Sequence, residues 1–272
     1  ISIFALENGV NVLCEKPAGV YTKQVREMNE AAAKTDLVFG IMYNQRTNCV
    51  YRKMRELVQS GELGEIRRVS WIITDWYRTQ AYYNSGGWRA TWKGEGGGVL
   101  LNQCPHNLDL WQWICGLPVK VSAFLHEGKW HDIEVEDDVT IYAEYANGAT
   151  GTHNMVGGSS MSLRRIHIVG TLGEIYGNFE EAKFYVSKIH PTKTDEKIVE
   201  EVDLRLTGDM VGAYGGHGGG DERLAEDFVS FVRGEKPSLA CTSIFDSVAG
   251  HLCVYLADKS RENGGMPQEV IY

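Results

Sequence analysis

The sequence predicts a doubly wound, parallel α/β unit over residues 1–62, followed by an α+β unit over residues 63–272 with a large, mostly antiparallel sheet flanked by helices. Three observations carry that expectation. As far as Ser60, short continuous apolar runs alternate with amphipathic helical segments, the pattern of strands buried on both faces. From Arg67 onward, long segments alternate with a period of two, as in strands with two distinct faces. Asn147-Gly148 falls between two such segments and reads as a hairpin turn.

Residues 1–9 read as the last turns of a helix whose beginning is missing, with Ile3, Phe4 and Leu6 apolar and Gly9 just past its end. Residues 10–14 form a strand that stops at Glu15-Lys16-Pro17, since proline cannot donate to a ladder. Thr22 is placed to cap a helix running to about residue 34, with Val25, Met28 and Ala32 on its apolar side. A second buried strand spans 37–42, and a helix over 47–60 carries Val50, Met54, Leu57 and Val58. The texture changes at residues 61–65. Residues 67–78 make a long strand, and further strands are expected near 119–127, 137–146, 149–157, 164–170, 173–179, 182–189 and 197–204. Residues 215–220 read as a flexible glycine loop. Two helices close the chain, beginning near Asp221 and Thr242.

At 272 residues, with 43% hydrophobic and 23% charged residues, the chain has room for two modest cores and an ordinary globular composition. A net charge of −9 and the lack of any basic run argue against nucleic acid and anionic surfaces. Cys14, Cys49, Cys104, Cys115, Cys241 and Cys253 form no C-x-x-C pair, so they read as reduced thiols of a cytoplasmic protein. No apolar run approaches the roughly 18 residues of a membrane span, and no signal-peptide pattern is seen.

The chemistry concentrates in Gly96-Gly97-Gly98-Val99-Leu100-Leu101-Asn102-Gln103-Cys104-Pro105-His106-Asn107-Leu108-Asp109, read with Glu15-Lys16-Pro17. In one continuous helix, Asn102, His106 and Asp109 share a stripe, which would put an amide, an imidazole and a carboxylate on one site. The same residues also read as a plain helix end, with Asn102 capping, Pro105 in the first turn and Gly116 closing the helix. There is no G-x-G-x-x-G and no P-loop. Gly94, Gly96, Gly97 and Gly98 suit either a ligand approaching backbone N–H groups or a flexible helix start. His126 and His131 read as surface residues of a hairpin region. His217 with Asp221 has metal-ligand chemistry, but a glycine loop supplies no rigid shell, so no metal is expected. Trp76, Tyr77, Tyr82, Tyr83, Trp88 and Trp92, interleaved with Asp75, Arg78, Asn84 and Arg89, suggest a polar cleft with stacking faces suited to sugars.

Cys14-Glu15-Lys16-Pro17, Trp88-Arg89, the triple glycine, and Asn102, His106 and Asp109 together resemble the Gfo/Idh/MocA family, the relatives of glucose-fructose oxidoreductase and inositol dehydrogenase. The resemblance implies the C-terminal remnant of a Rossmann domain binding NAD or NADP, then a substrate and oligomerisation domain. It implies oxidation or reduction of a hydroxyl carbon of a sugar, sugar derivative or cyclitol, in a homo-oligomer (dimer or tetramer). Lys16, His106 and Asn102 would be catalytic. Glu15, Lys16, Pro17, Asn44, Trp88 and Arg89 would contact the cofactor, and Asp75, Tyr77, Asp109 and Arg164 the substrate. Two departures matter. The family's glycine fingerprint would precede Ile1, so weak NAD(H) binding by these residues alone is expected. The family's common aspartate four residues before the histidine is Asn102, which can orient an imidazole but cannot stabilise imidazolium by charge. An NAD-dependent glycosidase and a non-enzymatic sugar-binding module are the alternative readings.

Overall fold

The computed structural model describes residues 1–74, 77–159, 163–178, 183–193, 196–203, 219–238 and 240–271. Helix α1 (Ser2–Glu7) leads to strand β1 (Val12–Cys14), which pairs in parallel with β2 (Phe39–Ile41) through the crossover helix α2 (Thr22–Ala32). The start of α2 is not capped by Thr22. Instead the Gln24 side-chain oxygen accepts the N–H groups of Val20 (2.8 Å) and Tyr21 (3.1 Å), donors that have no intrahelical partner. A tight turn over Asn44–Thr47 enters α3 (Cys49–Gln59), where the Asn48 side chain accepts the Val50 N–H at 2.9 Å, a cap worth about 1 kcal/mol. Val50, Tyr51, Met54 and Leu57 form its buried stripe.

The larger sheet contains β3 (Ile66–Ile73), β4 (Lys120–Glu127), β5 (Glu136–Glu144), β6 (Thr150–Val156), β7 (Arg164–Gly170), β8 (Gly173–Asn178), β9 (Lys183–Ile189), β10 (Lys197–Asp203) and β11 (Gln268–Glu269). Its order is β10-β9-β8-β7-β3-β6-β5-β4-β11; the β3 and β6 pairing is parallel and the rest antiparallel. Between β3 and β4 come a short helix α4 (Gln80–Tyr83) and α5 (Pro105–Cys115); α6 (Gly220–Val232) and α7 (Ile244–Glu262) follow the strands up to β10. At the expected hairpin, Gly148 takes φ = +84°, a conformation cheap only for glycine.

Period-two alternation divides the sheet. Val69, Trp71, Ile73, Val121, Ala123, Val139, Ile141, Ile166 and Ile168 face the helices and are fully buried. Helix α5 lies on that face, with Trp111 against His153 at a ring-centroid distance of 3.8 Å; burial pushes the His153 pKa down to about 3, keeping it neutral. On the opposite face, the register lines Ser122, Tyr142, Thr152, Ser70, His167, Tyr176, Tyr185 and Glu201 in one row across the sheet.

Helix α7 serves both cores. Ile244, Val248 and Leu252 pack with Leu6, Val12, Val25, Met28, Phe39, Ile41 and Tyr43 around the small parallel sheet, while Cys253, Val254, Leu256 and Ala257 pack under the large one. The far end of the chain therefore closes the core of its beginning, and the Ile41 N–H donates to the Thr242 carbonyl at 3.0 Å. No helix among the described residues is long and apolar enough to cross a membrane.

Candidate functional site

The ends of the two parallel strands meet the start of α5. Lys16, two residues past β1, donates its Nζ to the Asn102 carbonyl oxygen at 3.0 Å. Tyr43, two residues past β2, sets its ring edge-on to His106 in the first turn of α5, with centroids 6.0 Å apart and planes at 79°. Lys16 thereby reaches the segment that leads into α5, and Tyr43 reaches His106 at its start, each from the carboxyl end of a parallel strand, where α/β folds build their sites. Burial holds the Lys16 ammonium below the ordinary lysine pKa; Glu15, Cys104 and Glu95 pull the other way, while Arg78 adds to the fall.

Asn102 and His106 do not lie on one helix. Val99–Gln103 coils as a wider π turn, Cys104 breaks it, and the α-helix begins at Pro105. The expected single stripe is therefore absent, as is the Asn102 cap, because Cys104 occupies the cap position and makes no side-chain bond. Pro105 in the first helical turn explains the break, since its fixed φ starts a helix and its missing N–H cannot continue the preceding turn. The Asn102 side-chain amide donates to a Glu95 oxygen, and the other Glu95 oxygen accepts the Ala90 N–H at 2.6 Å. Asn102 thus offers its carbonyl to Lys16 and its amide to Glu95.

The glycine run is not an open cradle. Gly98 N–H and Leu100 N–H, the donors a phosphate would take, both bond the carboxylate of Glu136, at 2.8 and 3.0 Å. The glycines are needed for packing: a Cβ on Gly98 would stand 1.9 Å from the Glu136 carbonyl, and one on Gly96 (φ +72°) 2.2 Å from Val20.

Several candidates have structural partners instead. Asp109 is 2% exposed and takes a two-pronged bond from Arg46 (Nε to Oδ2 2.8 Å, Nη2 to Oδ1 2.6 Å), so it is an internal ion pair and not a substrate contact. Asn44 is 1% exposed and donates to Asp221 at the start of α6, so the two side chains are partners of one another. His131 is not a surface residue: its ring bridges Asp137 (2.9 Å) and the Arg78 carbonyl (2.8 Å). Arg89 stacks on Trp88 and Tyr82, both at 4.4 Å, and donates to the Tyr82 hydroxyl, leaving the half-exposed Trp88 as the outward face of this loop. Tyr77 is also half-exposed. Arg164 opens β7 opposite Ile73, at the strand end from which the chain runs on to Tyr77 and Arg78. Asp75 and Trp76, like His217, lie outside the described residues. The sequence did not single out Tyr43, Glu95 and Glu136; Glu95 beside the glycine run was the signal available.

A small parallel α/β sheet sends a lysine to the segment just before a histidine-bearing helix that lies on a broad, mostly antiparallel sheet. Residues 51–176, a little under half of the chain, match the GFO/IDH/MocA C-terminal domain. D-glucoside 3-dehydrogenase of Escherichia coli (strain K12) is 30% identical over 166 residues, 54% of this chain and 45% of that protein. Levoglucosan dehydrogenase of Pseudarthrobacter phenanthrenivorans is 26% identical over 208 residues, 66% of this chain and 52% of that one. The chain spans about half the length of these two relatives. A solved levoglucosan dehydrogenase, in complex with NADH and levoglucosan, shares the fold over 100% of this chain and 76% of its own, with a TM-score of 0.84 at 22% identity.

Proposed function

We propose that this chain forms the reacting part of a nicotinamide-dependent oxidoreductase that acts on a hydroxyl carbon of a sugar, sugar derivative or cyclitol. The observation that carries the reading is the Lys16 ammonium held on the Asn102 carbonyl at the head of the helix that bears His106. Relatives named as glucoside and levoglucosan dehydrogenases support it.

The donor set fits the reacting end of the cofactor. An ammonium and an imidazole at parallel strand ends suit a carbinol oxygen beside a nicotinamide, with Glu15, Lys16 and Pro17 along the ring and ribose; the Gly98 and Leu100 amides, committed to Glu136, do not serve its diphosphate. Bound there, the nicotinamide ring would exchange a hydride with the carbinol carbon. His106 takes the hydroxyl proton in the oxidative direction and returns it in the reductive one, and Lys16 stabilises the charge that builds on the same oxygen. No carboxylate pairs with His106 from position 102, so orientation comes from the ring edge of Tyr43 and the packing of α5. Tyr77, Trp88 and Arg164 line the sugar side.

The test follows absorbance at 340 nm with NAD or NADP against glycosides, anhydrosugars and cyclitols. A substrate-dependent nicotinamide signal is expected; sugar binding without one would overturn the reading in favour of a binding module, and glycoside cleavage without net NADH would point to a glycosidase.

The open sheet face supports a homo-oligomer. Tyr142, Tyr176 and Tyr185 are each more than a third exposed in one register row, with Ile72 in the next, an apolar and aromatic strip on a wide sheet. Light scattering at micromolar concentration should find a dimer or tetramer, and Tyr142→Lys with Tyr176→Asp should give monomers. A monomeric parent chain would refute this.

A further inference from the structure

Glu136 stands outside the site just described, yet it grips the segment that builds it. It is the first residue of β5, is 2% exposed, and spends both carboxylate oxygens on backbone donors, Gly98 N–H and Leu100 N–H. Those donors open the π turn. Asn102 N–H donates to the Gly98 carbonyl at 3.0 Å, and the Asn102 carbonyl receives Lys16 at 3.0 Å. The backbone of Gly98 lies so close to Glu136 that no side chain fits between them. Resting on the oxidoreductase reading for its functional consequence, we propose that Glu136 is a positioning residue: its ionised carboxylate fixes the Gly98–Leu100 backbone, and through it the Asn102 carbonyl against the Lys16 ammonium.

The charged state matters because a carboxylate accepts both N–H groups strongly, whereas protonation turns one oxygen into a hydroxyl, a donor and a much weaker acceptor. Burial first, then the nearby Asp258 carboxylate of α7, pushes the Glu136 pKa up to about 7, and Asp258 itself is pushed up to about 6, mainly by burial. Asp258 lies among Arg261, Glu262 and Lys259 of its own helix and Glu127 of β4, the residue paired across from Glu136. Protonation of Glu136 is favoured in the folded chain relative to the unfolded one, since its pKa lies above the ordinary glutamate value of about 4.3. Global stability therefore rises from this group as pH falls through about 7 toward about 4.3, while the local grip on the turn is released. A local loss without a global one is the signature.

The measurement is the pH titration of Lys16 in the intact chain, made by reductive methylation with ¹³C-formaldehyde, assigned with Lys16→Arg and run beside near-ultraviolet circular dichroism. In the parent protein the Lys16 methyl resonance should show a second inflection near pH 7 while the melting temperature does not fall. Asp258→Asn should move that inflection down by at least half a pH unit, Glu136→Gln should abolish it, and Glu136→Asp should restore part of it. If Glu136→Gln fails to fold, Asp258→Asn alone decides. An inflection unmoved in Asp258→Asn, or retained in a folded Glu136→Gln, would overturn the proposal. Because this readout needs neither cofactor nor sugar, it stands or falls separately from the oxidoreductase reading; where turnover is measurable, Glu136→Gln should lower kcat more than it raises KM.

Discussion

Asp109→Ala is expected to cost about 3–5 kcal/mol of stability, because it leaves the buried Arg46 guanidinium without its two-pronged partner. Arg46 and Asp109 have side chains 3% and 2% exposed, and burial pushes the Asp109 carboxyl up while Arg46 pulls it down. In such a place the desolvation cost of one charge is offset only by the other. Arg46 also reaches Asp246 at 3.1 Å, but that carboxylate is 45% exposed, so Asp246→Asn should cost no more than about 1 kcal/mol. Replacing both members, Arg46→Met with Asp109→Leu, should recover most of the loss, since a matched apolar pair carries no orphaned charge. Urea denaturation of these variants checks the ranking. A folded Asp109→Ala with unchanged midpoint and a raised KM would instead return Asp109 to the substrate, where the family resemblance had put it.

That contrast shows where the sequence was informative. Strands with one buried face were legible to within a residue or two, because a slip of one position would exchange Trp71 for Ser70 or Ile72 in the core, except that the strand expected over 67–78 ends at Ile73. The predicted span of 164–170 coincides with β7. Lys16 and the segment leading to His106 were also singled out, since both carry chemistry beside proline or glycine at the end of an element, and the Lys16 ammonium does reach the Asn102 carbonyl of that segment. What could not be read was which polar groups are spent on one another. Asp109 and Asn102 fit a single helical stripe on spacing alone; Pro105 divides that helix, and Arg46 and Glu95, 63 and 7 residues distant, claim their side chains. Glu136 stands among Glu134, Asp137 and Asp138, just before the strand expected from residue 137, and the strand pairing turns it inward. Long-range pairing of buried polar groups leaves no periodic trace.

His106→Gln is expected to lower kcat about 10²–10⁴-fold, the usual contribution of a positioned acid–base, with little change in KM. Lys16→Met removes the donor to the developing alkoxide and should lower kcat about 10²–10³-fold. Neither change should unfold the chain as Asp109→Ala does, because Lys16 is only part-buried and His106 is replaced by a side chain that still packs against Tyr43. Since burial holds the Lys16 pKa below the ordinary lysine value, the ammonium is lost at a lower pH than for an exposed lysine; the alkaline limb of kcat/KM should fall correspondingly early and disappear in Lys16→Arg.

The most direct test of the account is the double variant Lys16→Met with His106→Gln, measured beside its two parents on the sugar that gives the strongest nicotinamide signal. If both side chains serve the same carbinol oxygen, losing the second matters little once the first is gone, and the double variant should fall within about tenfold of the weaker single variant. Losses that multiply in full would show that Lys16 and His106 act independently, and would contradict the shared site.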